Sequence, residues 1–258
     1  MVNFRLGIGD ILLLFIADRE GVHPVPSVEL PLNVLANYRN NSEEYKKFVD
    51  WIVPKLFKVK IEWKKNCSIN RLANIQKCNW EPARNFLIPP QIFGEMPALP
   101  VSEKFIVVST KFRFDDDRGA KSYKEKVQLW AKNFESSMTI VLLGERQLQD
   151  NLEVQMWGHD TVYQELLHLG EKNRVIDLTV DSCNNTPDPG LFLRDIWILS
   201  KAESSYGFGY GGNFVLSTLF CKRTSFMIGN IKYNWAVFKN HPGLHLCKTF
   251  EEWIESTG

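Results

Sequence analysis

Hydrophobic positions along this chain fall into short continuous runs separated by longer amphipathic stretches, the pattern of strands alternating with helices. Val2–Leu6 reads as a strand, Gly7-Ile8-Gly9 as a turn, and Asp10 as the N-cap of an apolar helix over Ile11–Ala17. A strand follows near Val28–Leu32. Ser42–Lys55 reads as a helix with Tyr45, Phe48, Val49 and Ile52 on one face, and Phe57–Trp63 as a strand. Residues 66–100 are less regular and end in Pro89, Pro90, Pro97 and Pro100, punctuation that marks a domain boundary.

Beyond the prolines the alternation is clear. Phe105–Ser109 is apolar throughout, as expected for a strand covered on both faces. Ser122–Phe134 predicts a helix with Tyr123, Val127 and Trp130 inward, and Met138–Leu143 a second buried strand. Helices are predicted over Gln147–Trp157 and Thr161–Leu169, then a strand at Val175–Leu178, a helix at Gly190–Ala202 and a strand near Ser204–Gly207. A glycine-rich turn at Gly207–Gly212, a helix at Phe214–Phe220, a strand at Thr224–Ile228 and a last helix at Thr249–Ser256 complete the order. Repeated β-α-β-α predicts a doubly wound parallel sheet. The expectation is therefore an α/β chain of two Rossmann-like halves with a cleft between them, the N-terminal half abbreviated. The domains are residues 1–97, residues 98–245, and a closing C-terminal helix in 246–258.

Composition narrows the function classes. The 258 residues carry 31 Lys plus Arg against 30 Asp plus Glu, a formal net charge of +1. That balance argues against a general nucleic-acid partner, which needs a basic footprint. It also argues against a disordered or polyacidic chain. The five cysteines are widely spaced with no CxxC pair, which speaks against a zinc ribbon or a disulfide framework. Asp10 interrupts the apolar Gly7–Ala17 stretch and no small-x-small cleavage site follows, so no signal peptide is expected. No run of 18 apolar residues occurs, so no integral membrane segment is expected, and a cytoplasmic location is the simplest reading.

The candidate chemistry sits at predicted strand ends, where open α/β sheets bind ligands. Gly9 and Asp10 open the first helix, and Asp10 suits a hydrogen-bond acceptor or general base, or simply an N-cap. Ser109, Thr110, Lys111 and Arg113 leave the first strand of the second half; hydroxyls and cations there suit a diphosphate, or a solvated loop. Asp115-Asp116-Asp117 follow among cations and have the i, i+2 spacing of a divalent-metal pair, or of an exposed run. Glu145 ends the next strand, where a carboxylate can accept both ribose hydroxyls, or is simply a surface loop glutamate. The segment Gly207-Phe208-Gly209-Tyr210-Gly211-Gly212-Asn213-Phe214 places four glycines in six positions ahead of a helix. Its amides would form an anion nest, with Tyr210, Asn213 and Phe214 shaping a sugar pocket, or the segment is simply a mobile turn. His241 and His245 are spaced i, i+4, but Pro242 and Gly243 between them exclude a helical zinc pair.

Together these residues resemble a GT-B glycosyltransferase of the heptosyltransferase-like family nine. Gly7-Ile8-Gly9-Asp10 is similar to that family's N-terminal glycine–aspartate turn, Ser109-Thr110-Lys111 to its donor-phosphate residues, Leu143-Gly144-Glu145 to its ribose-holding strand end, and Leu193–Ile228 to its diphosphate segment. The family's Asp-x-Gly-x-x-His turn is replaced here by Tyr210, Gly211, Gly212 and Asn213. The resemblance implies a metal-independent inverting transferase that moves a sugar from a nucleotide-diphosphate donor to a glycan or lipid-linked saccharide, with no cofactor. Asp10 would be the base, Glu145 would hold the ribose, and Gly9, Ser109, Thr110, Lys111, Arg113 and Gly209–Phe214 would hold donor diphosphate and sugar. Three alternatives stand beside it: a metal-dependent GT-A transferase using Asp115 and Asp117, a nucleotide-sugar epimerase of GT-B fold, and a non-catalytic glycan- or nucleotide-binding module.

Overall fold

The structure is a computed structural model that describes residues 27–31, 42–57, 60–64, 104–113, 117–148, 159–181, 188–209, 212–227 and 243–257. The chain divides into two compact units. One comprises Met1–Met96, Asn185–Arg194 and Tyr233–Pro242; the other comprises Pro97–Asn184, Asp195–Lys232 and Gly243–Gly258. The segments 185–194 and 233–242 thus group with the first unit although they lie within 98–245 in sequence, and 246–258 groups with the second.

The described part of the first unit is a β-α-β element together with residues 188–194, the start of a later helix. Strand β1 (Ser27–Pro31) lies parallel to β2 (Lys60–Lys64), with Ser27 opposite Lys60 and Pro31 opposite Lys64. A parallel pair needs a crossover, which helix α1 (Ser42–Phe57) supplies. The apolar spacing along α1 buries Phe48, Val49 and Ile52, and Phe192 meets Phe48 edge-on at 5.2 Å. Trp63 Nε1 donates to Asp50 Oδ1 at 2.6 Å, tying β2 to the helix, and Lys46 Nζ lies 2.8 Å from Asp50 Oδ2.

From residue 104 onward the elements are β3 (Phe105–Ser109), β4 (Lys111–Arg113), α2 (Asp117–Asn133) and β5 (Thr139–Leu143). Then come β6 (His159–Thr161), α3 (Tyr163–Leu166, continued as a 3₁₀ turn over Leu167–Glu171), β7 (Val175–Asp177) and α4 (Pro189–Lys201). The chain continues through β8 (Ser204–Phe208), α5 (Gly212–Phe220), β9 (Thr224–Met227), β10 (Leu244–Cys247) and α6 (Phe250–Thr257). Six strands form one sheet in the order β10-β9-β8-β3-β5-β7, every neighbouring pair parallel. Counted in chain order this is 3-2-1-4-5-6, the doubly wound order of Rossmann folds. The expected α/β class and parallel sheet are therefore present.

Burial follows from that order. The central strands β3 and β5 are buried at every residue, whereas the edge strand β7 is only partly covered. Val127, Trp130 and Ala131 of α2 pack with Leu166, Leu169, Phe250 and Trp253 over this core, and Tyr123 is half-buried beside them. Helix α4 starts from an Asp188 cap, whose Oδ1 accepts from Leu191 N at 2.9 Å, with Pro189 at the first helical position. Helix α6 starts from a capping box: Thr249 Oγ1 accepts from Glu252 N at 3.2 Å, and Glu252 Oε2 accepts from Thr249 N at 3.3 Å.

Several boundaries differ from the sequence expectation. Gln147 and Leu148 are not helical, and the rest of the helix expected over Gln147–Trp157 lies outside the described residues. Thr161 ends β6, which pairs antiparallel with β4, rather than starting a helix. Gly207 belongs to β8 rather than to the turn; it lies opposite Phe226, whose ring fills the space a side chain on Gly207 would take. Among the described residues no helix is long and apolar enough to cross a membrane.

Candidate functional site

In a doubly wound sheet the connections leave in opposite directions on either side of one strand pair, and a crevice opens at the carboxyl ends there. Here that pair is β3 and β8. The chain leaves β3 at Ser109-Thr110, leaves β8 at Phe208-Gly209, and leaves the adjacent β5 at Leu143-Gly144-Glu145.

These ends are packed against one another. Gly144 has φ +116°, a backbone state that side chains disfavour. A Cβ on Gly144 would also stand 2.5 Å from Thr110 Oγ1 and 3.5 Å from Asn213 Nδ2. The elbow at Gly144 therefore lies against both the end of β3 and the first turn of α5. Beyond the elbow, Val180 N donates to Gly144 O at 2.9 Å and Arg146 N donates to Val180 O at 2.9 Å, extending the strand pairing by one parallel bridge at Glu145.

Glu145 is held through its main chain and its carboxylate. Its carbonyl accepts hydrogen bonds from Thr110 Oγ1 at 2.8 Å and from Thr161 Oγ1 at 3.0 Å. Its carboxylate, 18% exposed, has Lys111 Nζ at 3.6 Å. Burial pushes the Glu145 carboxyl above the usual carboxylate range, and the Lys111 ammonium opposes that shift. The pair thus offers a shielded acceptor and a cation side by side at the strand ends.

Next to Glu145, Arg146 joins three segments. Its Nε donates to Thr179 Oγ1 at 3.0 Å, and its guanidinium lies 3.4 Å from Asp177 Oδ2 and 3.5 Å from Asp181 Oδ1. Tyr163 OH donates to Asp177 Oδ2 at 2.8 Å, and Arg146 sits over the Tyr163 ring at 5.8 Å. Although its environment partly desolvates it, the Asp177 carboxyl lies below its ordinary range because Thr179, Tyr163 and Arg146 all favour its anion. This exposed network braces the loop that carries Glu145.

The candidates read from sequence separate into distinct groups. Thr110, Lys111, Glu145 and Asn213 converge around Gly144. Ser109 is buried as the last residue of β3. Thr110 is fully buried and donates its hydroxyl proton to Glu145, so it holds the elbow and does not offer that proton to a phosphate. Gly209, expected to lend its amide to a diphosphate, donates that N–H to Met227 O at 2.6 Å; its φ of +69° turns the chain out of β8 instead. Phe214, expected to shape the sugar pocket, is buried and packs edge-on against Phe226 at 5.2 Å, so it is a core residue. Gly212 and Asn213 open α5, where the first amides of a helix have no intrahelical acceptor. Arg113 ends β4 opposite His159, and Asp117 is the first residue of α2. Gly9, Asp10, Asp115, Tyr210 and Gly211 lie outside the described residues.

Sequence reasoning did not pick out Thr161 or the Arg146 network. Thr161 is separated from Thr110 by 51 residues and from Glu145 by 16, and only the pairing of β4 with β6 brings it to the elbow. Among the described residues no group of three or more His, Cys, Asp or Glu is placed to hold a metal ion.

The fold and the strand-end geometry define a Rossmann-like α/β protein. Comparison of the chain with protein-family models, with curated proteins and with solved structures finds no match.

Proposed function

We propose that the protein is a glycosyltransferase that uses a nucleotide-diphosphate sugar, of the two-halved GT-B, inverting and metal-independent kind. The observation that carries the reading is the set of strand ends at the switch point. Glu145 lies at the end of the second strand of the sheet, where a carboxylate suits a ribose, and the helix after the fourth strand opens at Gly212-Asn213. The first strand leads into Ser109-Thr110-Lys111 with no glycine, unlike the first turn of a dinucleotide-binding fold. The glycines follow the fourth strand instead, which favours a single diphosphate on α5 over a dinucleotide on the first turn.

In this reading the acceptor hydroxyl oxygen bonds to the anomeric carbon, the bond from that carbon to the donor phosphate breaks, and the hydroxyl proton passes to Asp10. The nucleoside diphosphate leaves with the bonding pair. Lys111 and the first amides of α5 stabilise the charge that develops on it, and Glu145 orients the ribose.

The test is a thermal-shift panel of nucleoside diphosphates and nucleotide sugars, followed by release of nucleoside diphosphate across an acceptor panel. Ligands that bind the folded state raise the unfolding midpoint by mass action. Asp10→Asn is expected to lower release by about 10²-fold or more, the usual scale of a lost general base, with donor affinity kept within about twofold. Full activity of that variant overturns the base assignment. Tight donor binding without release in the wild type identifies a binding module, and no stabilisation by any nucleotide overturns the reading.

A further inference from the structure

We infer that Thr161, contributed by the β4–β6 ribbon, is a positioning residue for Glu145 and thereby sets discrimination between ribose and deoxyribose in the donor; this rests on the reading of Glu145 as the ribose-holding group. Two hydroxyls from segments far apart in sequence meet at one carbonyl. Thr110 Oγ1 reaches Glu145 O at 2.8 Å and Thr161 Oγ1 reaches it at 3.0 Å. A carbonyl has two lone pairs, so both sites on this oxygen are filled. Thr161 Oγ1 also lies 3.3 Å from Thr110 O and accepts from Tyr163 N at 3.2 Å, which locks its rotamer between the two strand ends. Val162 N donates to Thr110 O at 2.8 Å and completes the join.

The consequence is a peptide at Glu145 whose orientation is determined from both sides. A side chain at residue 144 is excluded both by its φ of +116° and by Thr110 Oγ1, 2.5 Å from where a Cβ would stand, so the elbow packs directly on the end of β3. The Glu145 carbonyl is joined to the side chain's root through one backbone torsion, ψ, so fixing the carbonyl fixes where the side chain starts, while Lys111 Nζ at 3.6 Å holds the carboxylate end. Loosening the carbonyl therefore loosens the carboxylate that is to meet two vicinal hydroxyls. A ligand with one hydroxyl fewer asks less of that alignment. Thr161 touches neither ligand nor reacting atoms in this account; it acts through Glu145.

The experiment measures binding of ADP, GDP, UDP and CDP, each beside its 2′-deoxy counterpart, to the full chain by calorimetry. The wild type is expected to prefer the ribose form of its best nucleotide by about tenfold, one well-made hydrogen bond to a charged group. Thr161→Val, close to isosteric and suited to a strand end, removes the hydroxyl; it is expected to reduce the preference to about twofold by weakening the ribose form alone. Thr161→Ser keeps the hydroxyl and restores the preference. A merely structural role would weaken both sugars equally, and that result overturns the inference, as does a Thr161→Val variant that keeps the full preference. If Thr161→Val does not fold, Thr161→Ser against Thr161→Ala supplies the same comparison. A wild type that binds nucleotides without distinguishing the two sugars overturns the reading of Glu145 itself.

Discussion

At the scale of single residues, Glu145 is the group whose environment departs most usefully from water. Its carboxyl is raised by burial and only partly compensated by Lys111. A carboxylate with a raised folded pKa contributes stability that is full below the ordinary Glu range and is lost as pH rises through the raised value. A ribose that donates two hydroxyls favours the ionised form, so nucleotide affinity should move the other way and increase over the same window. Glu145→Gln should therefore flatten the pH dependence of nucleotide affinity and lower that affinity by about tenfold at neutral pH. Its unfolding midpoint should gain on the wild type as pH rises through the window. A midpoint difference independent of pH would show that Glu145 is not held in a desolvated site. Among the other candidates, residue type told where chemistry could sit but not which atoms were already engaged. Thr110 looked like a phosphate ligand because it is a hydroxyl at a strand end, yet its proton goes to Glu145. Gly209 looked like a nest amide, yet its N–H completes the pairing with Met227. Hydrogen-bond partners across the sheet are non-local, and a single chain of letters does not display them.

At the scale of elements, the helices and central strands were legible because their periodicity is strong. The apolar run Phe105–Ser109 has the bounds of β3, and the helices expected over Gly190–Ala202 and Thr249–Ser256 match α4 and α6 to within one residue at each end. The misses have a common cause. Strands β4 and β6 are three residues each, too short for alternation to register, and β10 (Leu-His-Leu-Cys) is only partly buried at a sheet edge. Strand β10 is also the element that α6 covers. Trp253 of that helix is fully buried, stands 4.7 Å from both Trp130 and Phe208, and donates from Nε1 to Ser225 O at 3.3 Å. The closing helix is thus a structural part of the sheet's own core. Trp253→Ala should cost about 3–5 kcal/mol, the scale of a large buried aromatic cavity. Trp253→Phe should cost about 1–2 kcal/mol, from the lost hydrogen bond to Ser225 O and the lost volume. Urea unfolding followed by circular dichroism measures both. A change below about 0.5 kcal/mol in the alanine variant would mean that α6 is not docked as described, since only surface substitutions are that mild.

At the scale of the whole molecule, the proposed reaction raises the question of where the charge of a leaving diphosphate would go. The chain has a net charge of +1, so no long-range field favours a polyanion, and the charge must be met locally. Lys111 is the cation at the switch point, but it already faces the Glu145 carboxylate at 3.6 Å, and in the free protein much of its charge is answered there. Two further sources can be set against each other for the developing charge. One is the opening turn of α5, whose first amides carry the positive end of the helix dipole, an effect of about half an elementary charge. The other is a divalent cation carried in on the donor and met by Asp115 and Asp117, the alternative the sequence leaves open. The two make opposite demands on metal. If the α5 amides and Lys111 suffice, release of nucleoside diphosphate should be unchanged, within about twofold, in excess EDTA. Lys111→Ala should then lower the rate by about tenfold or more, since removing one donor from the developing charge commonly costs that much. If a metal carries the load, EDTA should abolish release, Mn²⁺ should restore it, and Asp117→Asn should be as damaging as Lys111→Ala. One assay in the presence and absence of chelator, on wild type and these two variants, decides between them.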